Sequence, residues 1–588
     1  MIYQKRLKDL RELLKSQGLD GYIVPRTDEY QNEFVPPGAE RLQWLTGFTG
    51  SAGVAVVLKD AAVLMTDSRY TLQARGQIDR DLYVLDDSMK KQLPDWVREN
   101  IGEGAVIGYD PMLHTVKQIQ QWEQTGEEQG QRYKPVPGNL IDRLWRDRPG
   151  PPKAQAFLFP DDVAGRSAAD KLALVAADLR VRNVLAALLT RQDSIAWLLN
   201  VRGGDVDCTP LVLSHAIVRA DAPRVEWFVE PEKIPQDVAK ALSTVADIFP
   251  AAKLEERLAI LAQAARQAGR GIALDPAATP VYFQTQLKQQ GAEIAEAQDP
   301  CVMPKACKTA AELDSIRAAH IRDGVAVTRF LHALAQGKVK DELDAADKIT
   351  AFRAEDASFR GLSFPVIAGF NANGAVVHYR ATAQTNRAIK APGLLLIDSG
   401  GQYEWGTTDI TRTVAIGAPS EEMRKNFTLV LKGHIAVASA RFPAGTKGVE
   451  IDALARAPLK AAGLDYGHGT GHGVGCFLGV HEEAASISPR GQEPLRPGML
   501  ISNEPGYYQE GAYGIRIENL VMVREALAGL SFETVTLAPI DRSLIDVSLL
   551  STEEREWLNA YHARVMQTLG PLLPADVREW LQTETAPL

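Results

Sequence analysis

Between Leu394 and Val523, acids and histidines repeatedly stand where an apolar core would form, and this constrains the fold more than any other feature. The stretch holds Leu394-Leu-Leu-Ile-Asp398, Thr407-Thr-Asp409-Ile-Thr, His468-Gly-Thr-Gly-His472, Ser502-Asn-Glu504-Pro-Gly and Gly514-Ile-Arg516-Ile-Glu518. Each polar residue ends an apolar run, alternates with one or sits among glycines. A carboxylate facing a core is costly unless it is paired or bound to a cation. Four such carboxylates and a histidine, with only Arg516 as a nearby cationic partner, point to a metal site.

Asp398 ends the run Leu394–Ile397, Asp409 begins a second extended run to Ile416, and the residues between suit a hairpin. Period two puts Asp409, Thr411 and Thr413 on one face. Taken alone, an Asp near a turn is more often solvated. Glycines at 467, 469, 471 and 473 surround His468 and His472. They argue against a helical two-histidine zinc motif and for a loop where backbone approaches a ligand. One histidine is more often a satisfied core imidazole; three at 468, 472 and 481, out of ten in the chain, are harder to dismiss.

Met499–Asn503 reads as a strand delivering Glu504 at its end, where Pro505 stops further pairing. Alternation then sets Arg516 and Glu518 on one strand face and Ile515 and Ile517 on the other. In isolation those two would be a solvated sheet face, but the joint set of two Asp, one His and two Glu changes the balance. Such a set exceeds what one tetrahedral zinc takes and suits hard or borderline divalent ions. A dinuclear site with bridging carboxylates fits best, its ions about 3.5–4 Å apart and sharing a hydroxide.

The length of 588 residues sets a prior of about four domains. Apolar content of 45% and charged content of 24% are those of an ordinary globular protein. A formal charge of −9 without a basic block gives no reason to expect nucleic acid as a partner. Cys208, Cys301, Cys307 and Cys476 make no disulfide framework and read as free thiols in a reducing compartment. With no apolar leader and no run of membrane-span length, the expected location is cytoplasmic, away from membranes.

Leu7, Leu10, Leu13 and Leu14 predict an amphipathic helix over 5–17, closed by Gly18 and followed by the strand Gly21–Pro25. The glycine-rich segment 45–53 lacks a phosphate-binding Gly-Lys-Ser/Thr ending and reads as close backbone packing before the strand Val54–Leu58. A second strand is expected over 61–67, and Pro149-Gly-Pro-Pro152 marks a linker. A helix over 167–182, an apolar run at 183–189 and Trp197-Leu followed by glycines echo the first unit, so two copies of one α/β unit are expected. A long helix over 309–334 opens an α+β region with further helices at 342–354, 420–440 and 449–462. The expected domains are 1–150, 151–305 and 306–588.

Thr407-Thr-Asp-Ile-Thr-Arg-Thr413, His468-Gly-Thr-Gly-His-Gly-Val-Gly475, Glu504-Pro-Gly-Tyr-Tyr508 and Tyr513-Gly-Ile-Arg-Ile-Glu-Asn519 resemble the pita-bread metallopeptidases, specifically the Xaa-Pro aminopeptidases (aminopeptidase P). Gly47–Gly53, Asp67-Ser-Arg-Tyr70 and 195–205 are similar to the two N-terminal domains of that family's long, three-domain branch. Eight residues between His472 and His481, and the extension with a helix over 552–569, also fit that branch. The resemblance implies two similar creatinase-like α/β domains followed by a pita-bread α+β catalytic domain.

It further implies two divalent ions, typically Mn2+. Asp398 would bind one ion, His472 and Glu504 the other, and Asp409 and Glu518 both. His378, His468 and His481 would orient the substrate and stabilise the oxyanion, and Glu504 would also shuttle the proton. Tyr508 and Arg516 would line the substrate pocket. The implied reaction is attack of a metal-bridging hydroxide on the Xaa-Pro carbonyl, in a homodimer acting on peptides with proline second. Rival readings are a prolidase, which cuts dipeptides, a creatinase-like hydrolase that needs no metal, and a metal-free pita-bread domain that only binds peptides.

Overall fold

A computed structural model of the chain describes residues 2–88, 90–128 and 130–588. Residues 1–161 with 166–302 form one compact unit, and 162–165 with 303–588 form a second.

The first unit contains one sheet plan twice. In the first copy the strand order is Val84–Asp87, Ala62–Thr66, Val54–Leu58, Gly21–Pro25, Val106–Tyr109, Arg132–Pro135. In the second it is Ala246–Phe249, Val225–Phe228, His215–Arg219, Val184–Leu189, Gly271–Leu274, Ile294–Glu296. Across either sheet the successive pairings run parallel, antiparallel, antiparallel, parallel, parallel. The weak internal echo is therefore a repeat of topology, and the apolar run at 183–189 resolves to a strand.

The preceding helices agree with their periodicity. Ile2–Gln17 buries Leu7, Leu10 and Leu14, and Gly18 beyond it takes the left-handed conformation at φ +64°. Ala168–Val181 starts at a capping box in which Ser167 and Asp170 satisfy each other's backbone N–H. The glycine-rich segment packs as expected: a Cβ on Gly50 would lie 2.2 Å from the Phe48 ring and 2.8 Å from Tyr70.

In the second unit, Ala310–Ala335 runs unbroken through Gly324, where an added Cβ would meet the Leu537 carbonyl at 2.5 Å. Helices Glu342–Ala354, Glu421–Ala438 and Gly448–Ala461 follow. Two sheets position the polar residues. One is the antiparallel set Ile367–Phe370, Gly393–Ser399 and Ile410–Ile416. The other is six-stranded and antiparallel, in the order Arg441–Phe442, Gly529–Thr534, Asn519–Ala526, Leu500–Asn503, Gly471–Gly473, Glu482–Ile487.

The fold is thus one α/β sheet plan used twice, followed by an α+β region, as expected from the sequence. Leu431, Leu459, Ile515, Ile517, Leu558 and Val565 share one buried cluster, which joins the helices to the hairpin Gly506–Gln509/Tyr513–Arg516. Among the described residues no helix is long and apolar enough to cross a membrane, and no disulfide joins any of the four cysteines.

Candidate metal centre

Strand register explains how the two aspartates meet. Asp398 lies directly opposite Thr411 in the pair Gly393–Ser399/Ile410–Ile416, and Asp409 immediately precedes the second strand. Period two then puts Asp398, Asp409 and Thr411 on one face. The chain between them folds back through Gly401–Tyr403 and Gly406–Thr407, the hairpin expected there.

His472 stands on the strand Gly471–Gly473, next to Leu500–Asn503, which ends at Glu504. The expected loop is present around His468 at 467–470, and the structure corrects the expectation only for 471–473, which form a short strand. There the glycines instead let backbone meet backbone: a Cβ on Gly471 would lie 1.8 Å from the Ser502 carbonyl, and one on Gly473 2.5 Å from that of Glu482. Gly471→Ala is expected to cost roughly 1–3 kcal/mol of stability, as overpacking does, and to part His472 from Glu504. Thermal melting together with metal analysis checks it.

Arg516 and Glu518 also differ from expectation. Tyr513–Arg516 ends before Ile517, and Asn519–Ala526 belongs to the six-stranded sheet, so the two do not share one strand. The side-chain division survives the break: Ile515 and Ile517 enter the apolar cluster. Thr411 holds both polar residues, its hydroxyl donating to Glu518 Oε2 (2.8 Å) and accepting from Arg516 Nε (3.1 Å).

One oxygen or nitrogen from each of Asp409, His472 and Glu518 lies within 4.8 Å of the others. His472 Nε2 is 3.6 Å from Asp409 Oδ2 and 3.5 Å from Glu504 Oε1. These separations are too long for hydrogen bonds. They approach the about 3.0–3.4 Å expected for two ligands each about 2.1 Å from one ion. His472 Nδ1–H donates to the Gly473 carbonyl at 2.9 Å, which leaves Nε2 as the lone-pair nitrogen. Asp398 Oδ1 and Asp409 Oδ1 are buried with no hydrogen-bond partner among the described residues. A donor set of this kind fits divalent ions.

The electrostatics agree. Burial, then the neighbouring Asp398 and Glu504, push the Asp409 carboxyl well above its ordinary range. Burial and Asp409 do the same to Glu518. Glu504 is raised by burial, against the pull of His472 and Arg516. Arg516 sets a guanidinium against these carboxylates, its Nη2 donating to Asp398 Oδ2 at 2.6 Å. Burial opposes its charge, yet Tyr508, Asp398 and Glu504 keep it firmly protonated.

The other expected residues gather around these. Arg516 Nη1 donates to the Tyr508 hydroxyl (2.7 Å), which faces His468 Nε2 at 2.8 Å. Burial pushes the Tyr508 hydroxyl up to about 12, so it stays protonated near neutral pH. The exposed ring of His481 meets the His472 ring edge-on at 4.3 Å. His378 is half-buried and follows Val377, whose carbonyl accepts from Arg516 Nη2 at 3.4 Å.

Several supporting residues escaped the sequence reading. Gln402 Nε2 donates to the Leu478 carbonyl at 2.7 Å, and Thr407 Oγ1 accepts from Leu478 N at 3.3 Å, tying the segment before His481 to the aspartate hairpin. Glu482, buried beside His481, pairs with Lys308 and lies 3.4 Å from Lys305 Nζ. Arg456 donates to Asp452 (2.7 Å) and to the His468 carbonyl (2.6 Å). Arg412, Asn503 and Asn519 sit one residue from Thr411, Glu504 and Glu518; each lies inside a motif already singled out, which is the signal that could have found them.

The model of metallopeptidase family M24 matches residues 314–525, and that of its C-terminal region matches 529–588. Two models of the creatinase/prolidase N-terminal domain match 6–144 and 147–312. Similar proteins include "Probable Xaa-Pro aminopeptidase P" of Paracoccidioides brasiliensis, 38% identical over 99% of each chain. The Aspergillus fumigatus protein of that name is 39% identical over 99% of this chain and 92% of its own. The crystal structure of X-prolyl aminopeptidase from Caenorhabditis elegans, described as a cytosolic enzyme with a di-nuclear active site, superposes with a TM-score of 0.95. It is 31% identical and covered in full on both sides. An Xaa-Pro dipeptidase from Bacillus anthracis shares the fold over 64% of this chain, at 22% identity and a TM-score of 0.53.

Proposed function

This chain belongs to the Xaa-Pro aminopeptidases of metallopeptidase family M24, and from that premise we propose how its residues carry the reaction. It is a metal-dependent peptidase that uses two divalent ions to release the N-terminal residue from peptides with proline in second position. The observation that carries this reading is the convergence of Asp409, His472 and Glu518, whose ligand atoms lie within 4.8 Å of one another. A prolidase is less supported, because the prolidase-like structures share only the fold, over about two thirds of the chain.

Asp398 would bind one ion, His472 and Glu504 the other, with Asp409 and Glu518 contributing to both. The donor set of four carboxylates and one imidazole suits Mn2+. When bound, the ions polarise the scissile carbonyl and acidify water. Glu504, its carboxyl raised by burial, is suited to take a proton from the attacking water and pass it to the prolyl nitrogen. His378, His468 and His481 orient the peptide; His378 and His481 offer N–H donors where negative charge develops on the carbonyl oxygen. His468, its Nδ1–H held by the Gly469 carbonyl and its Nε2 facing Tyr508, acts by positioning that hydroxyl. Tyr508 and Arg516 line the pocket. A prolyl nitrogen has no N–H, so a site without an acceptor there, and with a pocket shaped for the ring, would select it.

The three-domain division at 150/151 and 305/306, a cytoplasmic location and a homodimer complete the proposal. The location is supported by the cytosolic C. elegans relative and the dimer by the family resemblance; sedimentation of the purified protein tests the latter. Hydrolysis is tested with chelator-stripped protein, with and without Mn2+, on Arg-Pro-Pro, Arg-Ala-Pro and Ala-Pro. Mn2+-dependent cleavage of the first, with little of the others, is expected. Dominant cleavage of Ala-Pro would instead mean a prolidase.

A further inference from the structure

The side of Ile410–Ile416 facing away from Asp409 carries a buried cation to which no acid among the described residues is hydrogen-bonded. Arg412 is 2% exposed. Its Nε donates to the Pro539 carbonyl (3.0 Å) and its Nη1 to those of Thr411 (2.9 Å) and Glu518 (2.7 Å). Nη2 reaches Asn519 Oδ1 (2.9 Å), the Ala538 carbonyl (2.9 Å) and the Tyr561 hydroxyl (3.0 Å). A guanidinium buried among neutral acceptors is costly, and it is tolerable only when every N–H is satisfied, as here.

Tyr561 stands on the helix Thr552–Leu569, in the part of the chain matched by the family's C-terminal region. One turn earlier, Trp557 stacks on its ring at 5.4 Å and meets His434 edge-on at 6.1 Å. His434 Nδ1–H donates to the Asn503 carbonyl (3.1 Å), and its Nε2 accepts from Asn519 Nδ2 (3.1 Å). Asn503 Nδ2 returns a bond to the His434 carbonyl at 2.9 Å. One buried network thus joins the neighbours of Glu504 and Glu518 to a single C-terminal helix.

We infer that this helix is a positioning element for the metal centre: Tyr561, acting through Arg412, fixes the main chain at Thr411 and Glu518 and so aims the Glu518 carboxylate. The inference rests on the proposed ligand role of Glu518. Neither Tyr561 nor Arg412 touches the ions or the substrate; both are positioning residues. Loss of residues that orient metal ligands commonly weakens metal affinity or activity about 10–100-fold.

Tyr561→Phe removes the hydroxyl and keeps the stack on Trp557. Its Mn2+ affinity, read by competition with a chelating dye in the full-length protein, is expected to fall about 10–100-fold. KM should stay unchanged, and excess Mn2+ should restore kcat. Arg412→Lys keeps the charge, loses the fork and is expected to bind Mn2+ more weakly still. Wild-type Mn2+ affinity in Tyr561→Phe, even with earlier melting of the chelated protein, overturns the inference. Because affinity is read without peptide, a wild type that holds two ions yet cleaves no peptide would refute the proposed function and leave this comparison intact.

Discussion

Glu518→Gln is expected to lower kcat/KM on a proline-second peptide by at least about a thousandfold, a loss of about 4 kcal/mol in transition-state stabilisation. Asp409→Asn should do the same. Both carboxyls are buried within one group of acids: Asp398 and Glu504 disfavour the charge of Asp409, and Asp409 disfavours that of Glu518. An amide in either place offers one acceptor oxygen instead of two and turns an NH2 toward the remaining carboxylates. In the proposed arrangement each would serve both ions, a role an amide cannot fill, so metal content should fall below two per chain along with activity. Metal analysis beside steady-state kinetics checks both. Activity within tenfold of wild type in either variant would remove that residue from the shared position.

Stripping the metal should lower the melting temperature by about 10 °C, and the gap should widen from pH 5 to pH 8. Binding at a thousandfold excess over Kd contributes about 4 kcal/mol, and roughly 2–4 °C accompany each kcal/mol in a domain of this class. The pH dependence follows from Asp409, Glu504 and Glu518, all raised chiefly by burial. Unfolded, these carboxyls ionise near pH 4; in the folded, metal-free protein they hold their protons to higher pH. The folded state therefore binds more protons above about pH 4, and its stability falls as pH rises until the folded groups ionise. Bound cations remove that penalty, and they compete with protons for the same oxygens. Calorimetry with chelator and with Mn2+ across this range is the measurement. A gap that stays constant or narrows with rising pH contradicts the account.

What could be read in advance follows from the range of the interactions involved. Asp398 and Asp409 were legible because each ends or begins an apolar run, and period two aligns Asp409 with Thr411. The register that sets Asp398 opposite Thr411 supplies the rest. The glycines around His468 and His472 mark a loop at 467–470 and a strand at 471–473 alike, since close approach by a ligand and by a neighbouring strand leave the same mark in sequence. Arg412 broke the pattern of its face, lying between Ile410 and Val414, yet its partners include Asn519, Ala538, Pro539 and Tyr561, more than a hundred positions away. Glu482 and Lys308 are likewise 174 residues apart. The repeat in the first unit showed through its local helix, apolar run and Trp-Leu, whereas the order of strands rests on non-local hydrogen bonds.

The duplicated sheet gives this chain an internal homologue. Strands at equivalent places, such as Gly21–Pro25 and Val184–Leu189, can be set against each other as one would compare two species, without a second genome. Both central strands are apolar, while the outermost strands Arg132–Pro135 and Ile294–Glu296 carry charged residues. A gene duplication followed by divergence would leave that pattern, with the core kept in both halves and the margins free to vary. Exchanging one copy's central strand for its counterpart would then be a transplant between paralogues that happen to share a single polypeptide.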